Sequence, residues 1–297
     1  MKTDIFLTYL RQRRNYSELT VKSYESDLLQ FESFLTKDDN DKSVLEDDGL
    51  ITVNSVRSWI MTLSEQGISA RSINRKLSSL RAYFRWVEIN NAEFKNPMLK
   101  IVSPKMSKRR LSAITNDDMQ MLLEQRPSEE DFDAFRNYVI VELLYATGIR
   151  QAELLGIKQT DISFTDRQLK IFGKGNKERI IPIGQKLMDD IIKYIDLKQR
   201  YSIKQTALMV TKEGKVLTKE QLYRIVHKLL ENVNISEKSP HTFRHTCATH
   251  LVEEGADIMN VKNLLGHSSL KATEIYTHTT IEQLKKEYKR TFEQNFN

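Results

Sequence analysis

The chain has a single cysteine, Cys247, so it can form no internal disulfide and no zinc cluster built on several thiolates. That scarcity fits a reducing cytosol. There is no apolar run of eighteen or more residues, which argues against a membrane-spanning helix. The opening stretch MKTDIFLTYLRQRR is amphipathic but lacks an apolar signal core and a small-residue cleavage site, so export is not expected. Internal repeats and low-complexity tracts are absent. What remains is an ordinary globular composition, 29% charged and 39% hydrophobic, in 297 residues, enough for two domains. The net charge of +6 permits a polyanionic partner without requiring one.

The first hundred residues read as helical. Asp4 to Leu10 is amphipathic, and Val21, Tyr24, Leu28, Phe31 and Leu35 repeat at a helical period. The acidic stretch KDDNDKSVLEDDG follows and reads as a solvated loop. Thr52 opens another helix that ends at Gly67. In the helix from Ser69 to Asn90, Ile73, Leu77, Leu80, Phe84 and Val87 fall within roughly 80° of arc. Arg71, Arg75, Arg81 and Arg85 fall within roughly 120° on the other side. The apolar stripe should enter a small bundle and leave the guanidiniums outward, either as a plain solvated face or as one that tracks phosphates.

Asn96 to Arg110, with two prolines and the cluster Lys105, Lys108, Arg109 and Arg110, is the best linker candidate. Phe132 to Thr147 is a near-continuous apolar helix stopped by Gly148; Arg150 follows at once, with Glu153 as its natural partner. Between Asp161 and Ile183 the period changes to that of three short strands, and Gly173 and Gly175 place Lys174 at a hairpin tip. A further helix over Lys186–Arg200, a short strand at Ala207–Val210 and a helix over Lys219–Asn232 are expected next.

Five of the six histidines lie between Ser239 and His278. Ser239 and Pro240 read as an N-cap and first helical residue, which puts His241 and Arg244 at i and i+3 on the first turn, where the helix dipole suits an anion. A second helix over Ile258–Leu265 ends at Gly266, His267 follows, and Tyr276 sits in EIYTHT. Two imidazoles, a guanidinium and a phenol so close in sequence suit work on a phosphate.

In order and approximate spacing, Arg150, Lys174, His241, Arg244, His267 and Tyr276 match the catalytic set of the tyrosine recombinases. The phrases ELLYATGIRQAELLGI, GKGNKERIIPIG, SPHTFRHTCATHL, LLGHSSLKAT and EIYTHT resemble most closely the bacterial Xer subgroup. The resemblance implies a mainly α fold with a small β-sheet. A helical, SAM-like core-binding domain would span 1–104, a basic linker 105–110 and a mixed α/β catalytic domain 111–297. It implies a site-specific DNA recombinase that works through a 3′-phosphotyrosyl intermediate, with no cofactor, metal or ATP. Tyr276 would attack, Arg150 and Arg244 would hold the phosphate, and His267 would add a hydrogen bond. His241 would exchange the nucleophile's proton and Lys174 would protonate the leaving oxygen. Glu153 would hold Arg150 or His241 in orientation. The implied partners are double-stranded DNA with inverted half-sites, a dimer on each site and a tetramer in synapsis. A second recombinase and a DNA translocase are partners of some relatives, and the setting is cytoplasmic.

Other readings stand beside this one. A type IB topoisomerase shares the chemistry, and a non-catalytic DNA-binding factor could share the scaffold. A helical zinc pair at His241 and His245 fails because TFR between them lacks the glutamate of HExxH. His245, His250 and His278 match no catalytic position and read as structural or surface residues; Cys247 reads as buried filler. The tail beyond Tyr276 reads as an amphipathic helix, and the resemblance implies that this region docks onto a neighbouring protomer, with Leu284 and Tyr288 as the candidate contacts.

Overall fold

The computed structural model describes residues 1–36, 48–106, 112–173 and 178–266. The chain divides into two compact units, Met1–Arg109 and Arg110–Asn297. Among the described residues no helix is long and apolar enough to cross a membrane. Most of the acidic loop, the residues Lys108, Arg109 and Arg110, the hairpin tip and everything from His267 onward lie outside the described residues.

The first unit is helical: α1 (Thr3–Gln12), α2 (Glu18–Leu35), α3 (Val53–Glu65) and α4 (Ala70–Asn90). Hydroxyls start three of them, since Ser17, Thr52 and Ser69 each accept a hydrogen bond from the backbone N–H three residues on. The expected stripe on α4 is buried: Ile73, Leu77, Leu80, Phe84 and Val87 join Phe6, Leu28, Phe31 and Trp59 in one core. The other side of α4 is not uniformly outward. Arg75 reaches α2 and donates through both Nη atoms to Asp27, at 2.6 and 2.7 Å. Asp27 is fully buried and also accepts from Lys76 and Ser79. A buried carboxylate is costly unless its charge and lone pairs are met, and three neighbours on α4 meet them.

The second unit is built around α6 (Phe132–Thr147), which packs against α8 (Gln185–Arg200) and α10 (Pro240–Glu253). Asp131 caps its start, accepting from the Ala134 N–H at 3.0 Å. Gly148 ends it in the left-handed region at φ +57°. A Cβ there would lie 2.4 Å from Leu265 Cδ2, so the close approach needs glycine as much as the turn does. The other helices are α5 (Asn116–Glu124), α7 (Gln151–Gly156), α9 (Lys219–Leu229) and α11 (Ile258–Leu265). The sheet is antiparallel in the order β1 (Ile162–Ser163), β2 (Gln168–Phe172), β3 (Glu178–Pro182). The register pairs Leu169 with Ile181 and Ile171 with Arg179. The strand expected at Ala207–Val210 is reduced to two isolated bridges, Lys158 with Ala207 and Val210 with Val216. The apolar run is buried there because it crosses the core.

His250 is structural, as expected. Its Nε2 donates to the Ile114 carbonyl, so Nδ1 must be the acceptor for the Tyr145 hydroxyl, both at 2.9 Å. Burial lowers its pKa, which keeps the ring neutral. Cys247 is fully buried against Gly148, and burial pushes its thiol up to about 12, so it is filler and not a reactive thiolate.

Candidate active site

Three guanidiniums converge on the C-terminal end of α11, and each comes from a different element. Arg150 stands just before α7, in the turn that Gly148 permits. Its backbone N–H and Nη1 donate to the two oxygens of Glu153, at 2.8 and 2.9 Å, and its Nη2 donates to the Gly266 carbonyl at 2.9 Å. This is the i,i+3 pair read from the sequence, and it goes to Arg150 rather than His241. Arg244, in the second turn of α10, donates at 2.6 Å to the Gly148 carbonyl and at 2.6 Å to the Leu265 carbonyl. Arg179, on β3, donates from Nε to the Leu264 carbonyl at 3.0 Å. Its two Nη atoms meet the two Glu153 oxygens at 2.9 and 2.7 Å.

The physical reason for the convergence is the end of a helix. The last carbonyls of α11 have no intrahelical donors, and the dipole makes that end negative. Leu264, Leu265 and Gly266 take one guanidinium each. Gly266 itself is left-handed at φ +65°, and a Cβ there would press on Arg179 Nη1 at 3.2 Å. The last described residue is thus fixed immediately before His267 in the chain.

The electrostatics follow from burial and pairing. Burial raises the Glu153 pKa, but the bidentate bond from Arg179 and the Arg150 N–H outweigh it and hold the carboxyl at about 2. It is ionised at neutral pH. Burial, then repulsion from Arg150, lowers Arg244 to about 10, still charged at neutral pH. One carboxylate against the three guanidiniums of Arg150, Arg179 and Arg244 leaves an excess of two positive charges. That cluster suits a ligand with negative charge spread over oxygens.

Of the residues singled out in the sequence, Arg150, Glu153 and Arg244 are brought together. His241 is exposed on the first turn of α10, and its side chain has no hydrogen bond among the described residues. Lys174, His267 and Tyr276 lie outside the described residues. Arg179 was missed, although a signal was there. In the strand ERIIP, Arg179 shares a face with Ile181, and period-two alternation puts both in the core. A buried arginine in a strand demands a carboxylate partner.

In the first unit, Arg71 and Arg85 are exposed and have no ion pair among the described residues. Arg75 is committed to Asp27, and Arg81 donates to Ser103 Oγ at 2.9 Å and to the Ile101 carbonyl. Lys105 is exposed.

Comparisons with known proteins give the family and the fold. The sequence profile of the Phage integrase family matches residues 112–283, and that of the phage integrase N-terminal SAM-like domain matches residues 4–89. The chain belongs to the phage integrase family, that is, to the tyrosine recombinases. A tyrosine recombinase XerC of Staphylococcus aureus (strain bovine RF122 / ET3-1) is 34% identical over 287 residues, covering 96% of this chain and 94% of that one. The XerC of Chlorobaculum parvum (strain DSM 263 / NCIMB 8327) is 33% identical over 307 residues, covering 95% and 91%. Among solved structures, the XerH site-specific recombinase bound to palindromic difH substrate superposes with a TM-score of 0.70 at 21% identity, over 97% of this chain and 84% of that one. The Tn1549 transposon integrase in complex with transposon right end DNA gives 0.70 at 18% identity, over 95% and 99%. The expected mainly helical fold with a small sheet is therefore the observed one.

Proposed function

We propose that this chain is a site-specific DNA recombinase of the Xer type that cuts and rejoins DNA through a 3′-phosphotyrosyl intermediate. The observation that carries the reading is the pair Arg150 and Arg244, held by carbonyls at the end of α11 in a net positive cluster directly before His267. Relatives about one-third identical over nearly the whole chain, named tyrosine recombinases, support it.

In the proposed reaction the Tyr276 oxygen bonds to the scissile phosphorus as the P–O5′ bond breaks, leaving a 5′-hydroxyl. A phenol with a pKa of about 10 needs an acceptor for its proton, and His241 takes that role. Charge building on the non-bridging oxygens meets the guanidiniums of Arg150 and Arg244 and a hydrogen bond from His267. Lys174 gives a proton to the departing 5′-oxygen. Religation reverses these steps, so the energy of the broken bond stays in the phosphotyrosyl link and neither ATP nor a metal is required. Residues 1–104 form the core-binding domain, 105–110 the basic linker and 111–297 the catalytic domain. They act in the cytoplasm on double-stranded DNA with inverted half-sites, as a dimer on each site and a tetramer in synapsis. A second recombinase and a DNA translocase complete the proposed partners.

The test is covalent capture. Wild-type protein mixed with a nicked suicide duplex carrying its selected target should form a detergent-stable protein–DNA adduct in EDTA and without nucleotide. Adduct that appears only with a divalent ion would overturn the metal-free scheme.

The basic helix gives a separate prediction. Arg71→Ala and Arg85→Ala should each lower the slope of log affinity against log salt by ~0.9 while leaving stability unchanged. Arg75→Ala should instead lower stability by about 1–2 kcal/mol, because it strips two bonds from a buried carboxylate. Salt titrations and thermal melts separate the two behaviours. Unchanged slopes in both exposed-site variants would make α4 a solvated face.

A further inference from the structure

We infer that Arg179 is a positioning residue for DNA cleavage, setting the geometry of Arg150 and of the C-terminal cap of α11. The inference rests on the catalytic reading above. Arg179 occupies a core-facing position on β3 and is almost fully buried, yet all three of its guanidinium nitrogens have assigned partners. Two of them hold Glu153, the carboxylate that also takes the Arg150 backbone N–H and Nη1. The third holds the Leu264 carbonyl, one residue before the carbonyl that Arg244 grips and two before the one that Arg150 grips. A single buried fork therefore ties three segments together: the strand that begins four residues after Lys174, the start of α7 and the cap of α11.

Geometry and charge both make this a matter of orientation. Without Arg179, Glu153 would be free to draw Arg150 fully onto itself, away from any phosphate. The Leu264 carbonyl would lose its donor, and the left-handed turn at Gly266 would lose the guanidinium packed against it. Lysine keeps the charge but is a point donor on a flexible stem. Its single nitrogen does not reproduce the planar fork in which two nitrogens meet the Glu153 oxygens while Nε meets the Leu264 carbonyl.

The experiment measures single-turnover adduct formation on the nicked suicide duplex at saturating DNA. Arg179→Lys should slow it by ~10²-fold, the usual penalty for displacing catalytic groups by about an ångström. Duplex affinity should be unchanged, and the variant should remain folded at the assay temperature by thermal melt. A scissile methylphosphonate removes one negative oxygen that the arginines would neutralise. A defect arising from misplaced guanidiniums should therefore shrink on that substrate. Glu153→Gln should slow cleavage in the same way, and the Arg179→Lys/Glu153→Gln double variant should be no slower than the slower single one, since both act through one contact.

A wild-type rate in Arg179→Lys overturns the inference. So does equal slowing on the phosphodiester and the methylphosphonate, or unfolding at the assay temperature, either of which makes Arg179 a residue of the fold alone. Additive defects in the double variant overturn it as well. Absence of any adduct with wild-type protein would be a different failure, that of the catalytic reading itself.

Discussion

Tyr276→Phe is expected to leave binding to a target duplex unchanged and to abolish the covalent adduct. The substitution removes one oxygen and keeps the ring, so contacts that depend on charge, shape or stacking persist while the nucleophile is lost. No other group should stand in for it. Burial drives the hydroxyls of Tyr83, Tyr138 and Tyr194 upward in pKa, away from what a nucleophile needs. Tyr83 donates to Asp48, and Tyr138 hydrogen-bonds to Glu142 and the Leu123 carbonyl. An exposed tyrosine on α9, Tyr223, is the control, and Tyr223→Phe should trap as wild type does. Gel shifts on an intact duplex and detergent-stable complexes on a nicked one provide the two measurements. Adduct formed by Tyr276→Phe would remove the nucleophile assignment and leave the guanidinium cluster as a binding site only.

The parts of this molecule that were legible in the sequence are those whose partners are close along the chain. The stripe on α4 needs only a period, and the Arg150–Glu153 pair needs only an i,i+3 spacing. His250 could be set aside because no catalytic position matched it, and the buried bonds to Ile114 and Tyr145 give the reason. What was illegible lies in closures over longer distances. Arg75 has the periodicity of a solvent face and stays half-exposed, yet its guanidinium is committed to Asp27, forty-eight residues earlier. Arg179 and Glu153 are twenty-six residues apart, and nothing in either local stretch names the other. Arg244 was placed beside His241 by spacing, but the side chains part: one is buried among carbonyls and the other faces outward. A helix face fixes where a side chain begins, while burial elsewhere in the fold decides where it ends.

Arg244→Lys should give the second large effect, and its pH dependence should identify the cause. The guanidinium is almost fully buried and spans two carbonyls, on Gly148 and Leu265, with two nitrogens held in one rigid plane, a geometry that the point donor of lysine does not reproduce. Cleavage should fall by ~10²–10³-fold, the range for losing one oriented donor to a transition-state oxyanion. Burial and the nearby Arg150 already pull Arg244 down to about 10. A lysine ammonium ordinarily loses its proton at about 10.4, and the same burial and the same neighbouring Arg150 should lower it. For a cation with a lowered pKa, charge is present below that value and lost as pH rises through it. The residual activity of Arg244→Lys should therefore fall off at a lower pH than that of the wild type, whose Arg244 stays charged at neutral pH. Parallel single-turnover profiles on the nicked duplex would read this directly. Wild-type activity in the lysine variant at every pH would mean that Arg244 only ties α6 to α11, and that the phosphate is held elsewhere.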